Sequence, residues 1–289
     1  MIDAHHHLWD LKAVHYPWLM AQGVERFFGD PSPIQRDYLI DEFRAEAGAC
    51  GITGSVHIQV GAEDPMAEAK WVQSVADATP DWPMAQVVFC DLTSSDLSDQ
   101  LDAYQQLSTV KGVRQIIGRA PGEDAVTGTN DLLDDPAFLM GLKEAGARGL
   151  SFDLQLIPEL MEKTAAVIAQ APATPVALCH AGSPHDRSEA GLATWAASLR
   201  HLSELPHVVC KLSGLGMFEH NWTPQSLAPI VEEVIRQFGP DRVMFGSNFP
   251  VDKLYSDYRP LWDAKRSLVP ARHHDQVFKS VARRFYFEA

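Results

Sequence analysis

Ile2-Asp3-Ala4-His5-His6-His7 begins the chain, and its reading decides the fold. An apolar start that turns polar within a few residues is a short strand delivering side chains to an edge. His5 and His7 lie two apart, so on an extended strand both point to one face while His6 points to the other. Working outward, short Val- and Ile-rich runs at 2–5, 54–60, 84–90, 110–116, 148–154, 175–180, 207–211 and 242–245 read as strands. Between them, 66–78, 95–107, 136–144, 158–170, 192–205 and 224–238 carry helical apolar spacing, as do the tail segments 258–268 and 274–286. Asp64-Pro65, Asp135-Pro136 and Thr223-Pro224 each put a capping side chain before a helix-compatible proline. Eight strands alternating with helices predict a single (β/α)8 TIM-type barrel over residues 1–289. A doubly wound open sheet fits less well, because no Gly-rich dinucleotide turn follows the first strand.

Composition narrows the function classes. The 289 residues carry a formal net charge of −14 with 46% hydrophobic content, an ordinary soluble balance that excludes a phosphate-backbone partner. Such an excess would slow anionic ligands unless local Arg or Lys reverses the field. Cys50, Cys90, Cys179 and Cys210 have no CxxC spacing and read as buried free thiols. No basic segment precedes an apolar core at the N-terminus, and no run approaches the ~18 apolar residues that span a bilayer. The expected compartment is therefore the cytoplasm, and the expected partner a small-molecule substrate rather than nucleic acid or membrane.

In a barrel of this kind, chemistry collects where strands end at their C-terminal edge. Those ends read His5 and His7, His57 and Gln59, Asp91, Arg114 and Gln115, Asp153 and Gln155, His180, Lys211 and Ser213, and Ser247 and Asn248. Nearly every strand delivers a polar side chain there, which predicts a convergent polar pocket. Two neutral imidazoles side by side make His5 and His7 candidate ligands for a divalent metal. His180 precedes an exposing turn, Ala181-Gly182-Ser183-Pro184. Arg114 and Lys211 could hold a carboxylate or an oxyanion, or could simply form ion pairs with Asp153 or Asp91. Gln59, Gln115, Trp9 and Asp252 complete the expected substrate contacts. The long connection 10–38, with Tyr16, Trp18, Phe27 and Phe28, reads as a pocket wall or lid, and 118–134 as a second shaping segment.

The motifs together resemble the amidohydrolase superfamily, more narrowly the lactonase-like branch of amidohydrolase family 2. The resemblance covers essentially the whole chain. It rests on Asp3-Ala4-His5-His6-His7-Leu8-Trp9, Gly112-Val113-Arg114, Phe152-Asp153-Leu154, Cys179-His180-Ala181-Gly182-Ser183-Pro184, Lys211-Leu212-Ser213-Gly214, and Arg242 to Pro250. It implies metal or substrate ligation by His5 and His7, a functional histidine at His180, and substrate contacts at Arg114 and Lys211. Two departures stand out: Gln115 where sugar-acid lactonases often have histidine, and Asn248 on the position of a water-activating aspartate. Asparagine cannot take a proton from water at neutral pH. Asp153 or Asp252 would have to supply the carboxylate, and both a zinc-like divalent metal at His5 and His7 and a metal-free site stay open.

The leading expectation is hydrolysis of a small lactone of a sugar acid or related carboxylate, with His180, Asp153 and Asn248 as catalytic residues. A metal-dependent decarboxylase of an unsaturated or aromatic acid, and a catalytically silent ligand-binding barrel, are the alternatives.

Overall fold

Runs buried on both faces can only be central strands of a layered α/β structure. All five residues of Gly54–Ile58 and of Val208–Leu212 are buried. The computed structural model, which describes residues 1–123 and 129–288, builds eight such strands. They are β1 (Ile2–His6), β2 (Gly54–Ile58), β3 (Met84–Phe89), β4 (Val110–Arg114), β5 (Ser151–Leu154), β6 (Val176–Leu178), β7 (Val208–Leu212) and β8 (Val243–Phe245). They pair in sequence order and every pair is parallel. Helices such as Pro65–Ala78, Pro136–Ala147, Glu189–Ser203 and Pro224–Phe238 return the chain along the outside. The result is the single (β/α)8 barrel that the sequence predicts.

Helix starts follow local chemistry. Asp64 accepts from the amides of Met66 and Ala67, Asp135 from Ala137, and Thr223 from Ser226 within a capping box. Two expectations are corrected. Segment 158–170 is a 3-10 turn, Pro158–Leu160, followed by the helix Met161–Ile168. Helix Ile40–Gly48 was not expected, and its Leu39 N-cap makes no side-chain capping bond that could have announced it.

The ends of the sheet meet through side-chain and loop bonds. Asn248 donates its amide N–H to the His5 carbonyl at 2.7 Å, and His7 donates to the Phe249 carbonyl at 2.7 Å. The buried Asp3 carboxylate accepts from the amides of Ser247 (2.9 Å) and His5 (3.1 Å) and from the Tyr258 hydroxyl (2.9 Å). Gly246 passes so close that a Cβ there would lie 2.6 Å from that of His5. Inside the barrel, Ala4, Val56, Val87, Ala177, Val209 and Met244 pack together with Tyr286 of the last helix, Val281–Tyr286. Among the described residues no helix is long and apolar enough to cross a membrane.

On the outer face of β1, buried His6 stacks flat on Phe43 at 3.9 Å, with His57 beside it. Both ring nitrogens of His6 lack a hydrogen-bond partner, and burial holds its pKa well below the ordinary value. Burial pushes His57 down to about 4. Both rings are neutral in the fold but take a proton when unfolded near pH 6.5, so stability is complete above that pH and declines below it. For His57 alone the loss at pH 5 is about 2 kcal/mol. Urea unfolding of wild type and His57→Gln at pH 7.5 and pH 5 checks this: the acid-induced loss should be smaller in the variant by that amount. Equal losses would refute the assignment.

Candidate active site

Alternation over the end of β1 turns His5 and His7 to the inner face, while His6 stacks outward on Phe43. Asp3 pairs with Ser55 but His6 pairs with His57, so β1 gains a residue over β2 between those points. Bulges of this kind re-aim side chains next to functional sites. The His5 ring then lies 5.3 Å from that of His7 and 4.6 Å from that of His180.

His180 and Asn248 occupy the left-handed backbone region, with φ of 55° and 61°, and Ala181 and Ser183 beside His180 do the same. Such conformations are costly for residues with a Cβ and persist where the surroundings impose them. Gly214, at φ 60°, permits this packing, because a Cβ there would run into the His180 ring. Ser213 Oγ lies 3.0 Å from His180 Nδ1 and accepts the His180 backbone N–H at 3.3 Å, leaving Nε2 as the unengaged nitrogen.

The protonation pattern at the floor is set by its partners. His7 Nδ1 sits 2.7 Å from the Ile58 carbonyl, which can only accept, so the lone pair is on Nε2. Asn248 donates through Nδ2 to Asp252 at 3.1 Å, which turns its Oδ1 toward His7 Nε2 at 3.4 Å. Burial keeps His7 neutral, with a pKa near 3. Two acceptors therefore face each other across 3.4 Å, beside a fully buried His5 whose ring nitrogens have no partner. Burial costs of this kind call for a cation or a donor between the lone pairs. The donor set fits a divalent metal: two imidazoles and an amide oxygen, with His7 and Asn248 oriented by second partners as metal ligands usually are.

His5, Asp153 and Cys179 also bring ligand atoms within 4.8 Å of one another. That second group is already served by a cation. Lys211 Nζ lies 2.5 Å from Asp153 Oδ2 and donates to the Ala4 carbonyl at 2.8 Å, while the Tyr286 hydroxyl donates to Asp153 Oδ1 at 2.7 Å. Burial holds the Cys179 thiol up near 12, neutral at physiological pH.

Above the floor opens a cavity of about 540 Å³, lined by His7, His180, Asn248, Arg114, Gln59, Gln115 and Gln155 among others. Arg114 donates to the Gln59 carbonyl and to Gln155 Oε1 (3.2 Å), and its Nε is buried without a partner. Gln115 is fixed between the Leu92 amide and Asp91. Trp18, Phe27 and Phe28 form one wall, where the long first connection was expected to stand. Of the second shaping segment, Arg119, Thr129 and Leu132 line the cavity, and residues 124–128 lie outside the described residues.

Four sequence expectations are relocated. Lys211 and Asp153 are not among the side chains lining the cavity; they form, fully buried inside the barrel, the ion pair that the sequence leaves open as the alternative to a substrate contact. Trp9 is buried behind the wall, donating to the Arg36 carbonyl at 2.6 Å. Asp252 touches the cavity only through Asn248, and burial pushes its carboxyl up to about 6. Ser213 is among the strand-end residues expected at the pocket, whereas Asp3 and Tyr286 are not; a carboxylate inside an apolar strand is the available signal for Asp3, and nothing local announces Tyr286.

Comparison with known proteins agrees with this geometry. An amidohydrolase family model matches residues 2–287. The chain is 38% identical over 271 residues to y4mH, an uncharacterized protein of Sinorhizobium fredii, covering 93% of this chain and 91% of that one. It is 29% identical to an L-fucono-1,5-lactonase of Burkholderia multivorans, over 89% of this chain and 84% of the relative. A crystal structure of an amidohydrolase from Burkholderia multivorans with bound zinc superposes with a TM-score of 0.83 at 25% identity, covering 99% and 98% of the two chains.

Proposed function

We propose, from the premise that the chain belongs to the amidohydrolase family, that it is a hydrolase opening a small lactone. The carrying observation is the floor of the cavity, where His7 Nε2 and Asn248 Oδ1 turn lone pairs toward one point beside the unpartnered ring of His5. The likeness to an L-fucono-1,5-lactonase supports the ester class.

His5, His7 and Asn248 would hold a divalent cation, zinc being the one bound in the similar Burkholderia structure, and when bound it would acidify water and polarise the ester carbonyl. With no cation at that point, the same Asn248 Oδ1 would accept a hydrogen bond from the attacking water and orient it. His180, kept neutral by burial, takes the water's proton at Nε2. The new C–O bond forms at the carbonyl carbon, the ring C–O bond breaks, and the proton passes to the departing alkoxide. Arg114 places positive charge beside the cavity where the oxyanion develops. A lactone needs less base assistance than an amide, which suits a site that presents the neutral Asn248 after its last strand instead of a carboxylate.

A pH-indicator assay over a lactone panel, with and without added zinc or manganese, tests the reading. Acid release from at least one lactone is expected; none under any condition would end it.

Asn248→Asp probes the neutral amide. The new carboxylate would face Asp252 at the present 3.1 Å contact, and two carboxylates so close cannot both ionise. One proton is then shared, the Nδ2 donation that aims Oδ1 is lost, and kcat at pH 7 should fall about tenfold. Steady-state kinetics decide it: a variant faster than wild type would show that asparagine is a mark of lost activity instead.

A further inference from the structure

The cavity is larger and more apolar than a hydroxylated ring requires. Its volume of about 540 Å³ lies in the range of sites that enclose drug-sized ligands. Beside the polar floor, and together with Arg26, Glu63 and Arg119, the lining includes the large apolar side chains Trp18, Phe27, Phe28, Leu132, Met217 and Val251.

This apolar wall is built rigidly. Trp18 Nε1 donates to the Val60 carbonyl at 2.5 Å, tying the first connection to the end of β2. The Tyr255 hydroxyl donates to the Phe28 carbonyl at 2.6 Å, tying it to the loop after β8. Phe27 stacks on Phe218, from the loop after β7, at 5.6 Å, and Trp18 meets Phe28 edge to face at 6.1 Å. Three separate strand ends thus hold aromatic side chains at the cavity, with the Arg26 guanidinium 5.7 Å from the centre of the Trp18 ring and Phe27 and Phe28 beside it. Apolar surface facing water in this way is unfavourable by about 25 cal/mol per Å² until something apolar covers it. A wall continuous with the catalytic floor is covered by the far end of whatever sits on that floor.

We propose that the substrate is a ring ester carrying an apolar arm, aliphatic or aromatic, and that the wall of Trp18, Phe27 and Phe28 is the subsite for that arm. The inference rests on the lactonase reading and adds the chemical class of the substituent. Each buried methylene is worth about fourfold in binding, so an arm of several carbons gives a large preference.

The test compares kcat/KM of the wild type for δ-valerolactone, its phenyl-substituted analogue and an aldono-δ-lactone. The phenyl-bearing ester should exceed both others by at least about tenfold, and Phe27→Ala should shrink that ratio. Ratios within about threefold, or a preference for the polyol, would overturn the inference while leaving the lactonase reading intact. If no lactone is opened, that reading fails, and calorimetry with the corresponding lactams decides the arm: tighter binding of the phenyl lactam supports the subsite, and equal affinities reject it.

Discussion

Replacing His7 with alanine is expected to lower kcat/KM for the best lactone about 1000-fold, close to 4 kcal/mol of transition-state stabilisation. The ring is held by its Nδ1–H on the Ile58 carbonyl, so its Nε2 lone pair cannot turn away from Asn248. Removing it leaves Asn248 Oδ1 without the group it faces and strips one of the two first-strand ligands from any bound cation. The fold should survive, because the Asn248 amide still donates to the His5 carbonyl and β1 keeps its pairing with β2. Steady-state kinetics beside a circular-dichroism melt separate the two effects. A loss under about threefold with an intact melt would remove His7 from the site.

Asp153→Ala is expected to destabilise the protein by about 3–5 kcal/mol. Both partners of the Asp153–Lys211 pair are fully buried. Without the carboxylate, the Lys211 ammonium keeps the Ala4 carbonyl and the face of the Tyr286 ring at 4.9 Å, with no anionic partner, and the Tyr286 hydroxyl loses its acceptor inside the barrel. An uncompensated buried charge is what makes such deletions severe, so changing both partners, Asp153→Leu with Lys211→Met, should recover most of the loss. Urea unfolding with an unchanged m-value measures it. A single-variant loss below about 1 kcal/mol would mean that water reaches Lys211 and that the pair is not sealed.

These two residues also show where the sequence could be read and where it could not. Strand order, the barrel and the meeting of His5 and His7 with Asn248 were legible, because apolar runs and their polar ends survive in one dimension. The depth of a side chain was not. Lys211 looked like a strand end, yet β7 runs on to Leu212, which puts the lysine in the packed interior opposite Asp153. The one-residue extension leaves Lys211 facing inward, on the same side as Val209, but sets it one step below the mouth. The β1 bulge between Asp3 and His6 is invisible in the sequence, although alternation places His5 and His7 on one face as the structure does. Tyr286 reaches Asp153 across 133 positions, and only closure of the barrel by the last helix creates that contact. Trp9 stands among the expected substrate contacts, but its indole is anchored on the Arg36 carbonyl behind the wall.

The most direct test of the account is a crystal structure with δ-valerolactam, an unreactive isostere of the lactone, bound in the cavity. The account predicts its carbonyl carbon at the floor, beside His7, His180 and Asn248, with the carbonyl oxygen toward Arg114. A lactam seated elsewhere on an enzyme that hydrolyses the lactone would contradict it.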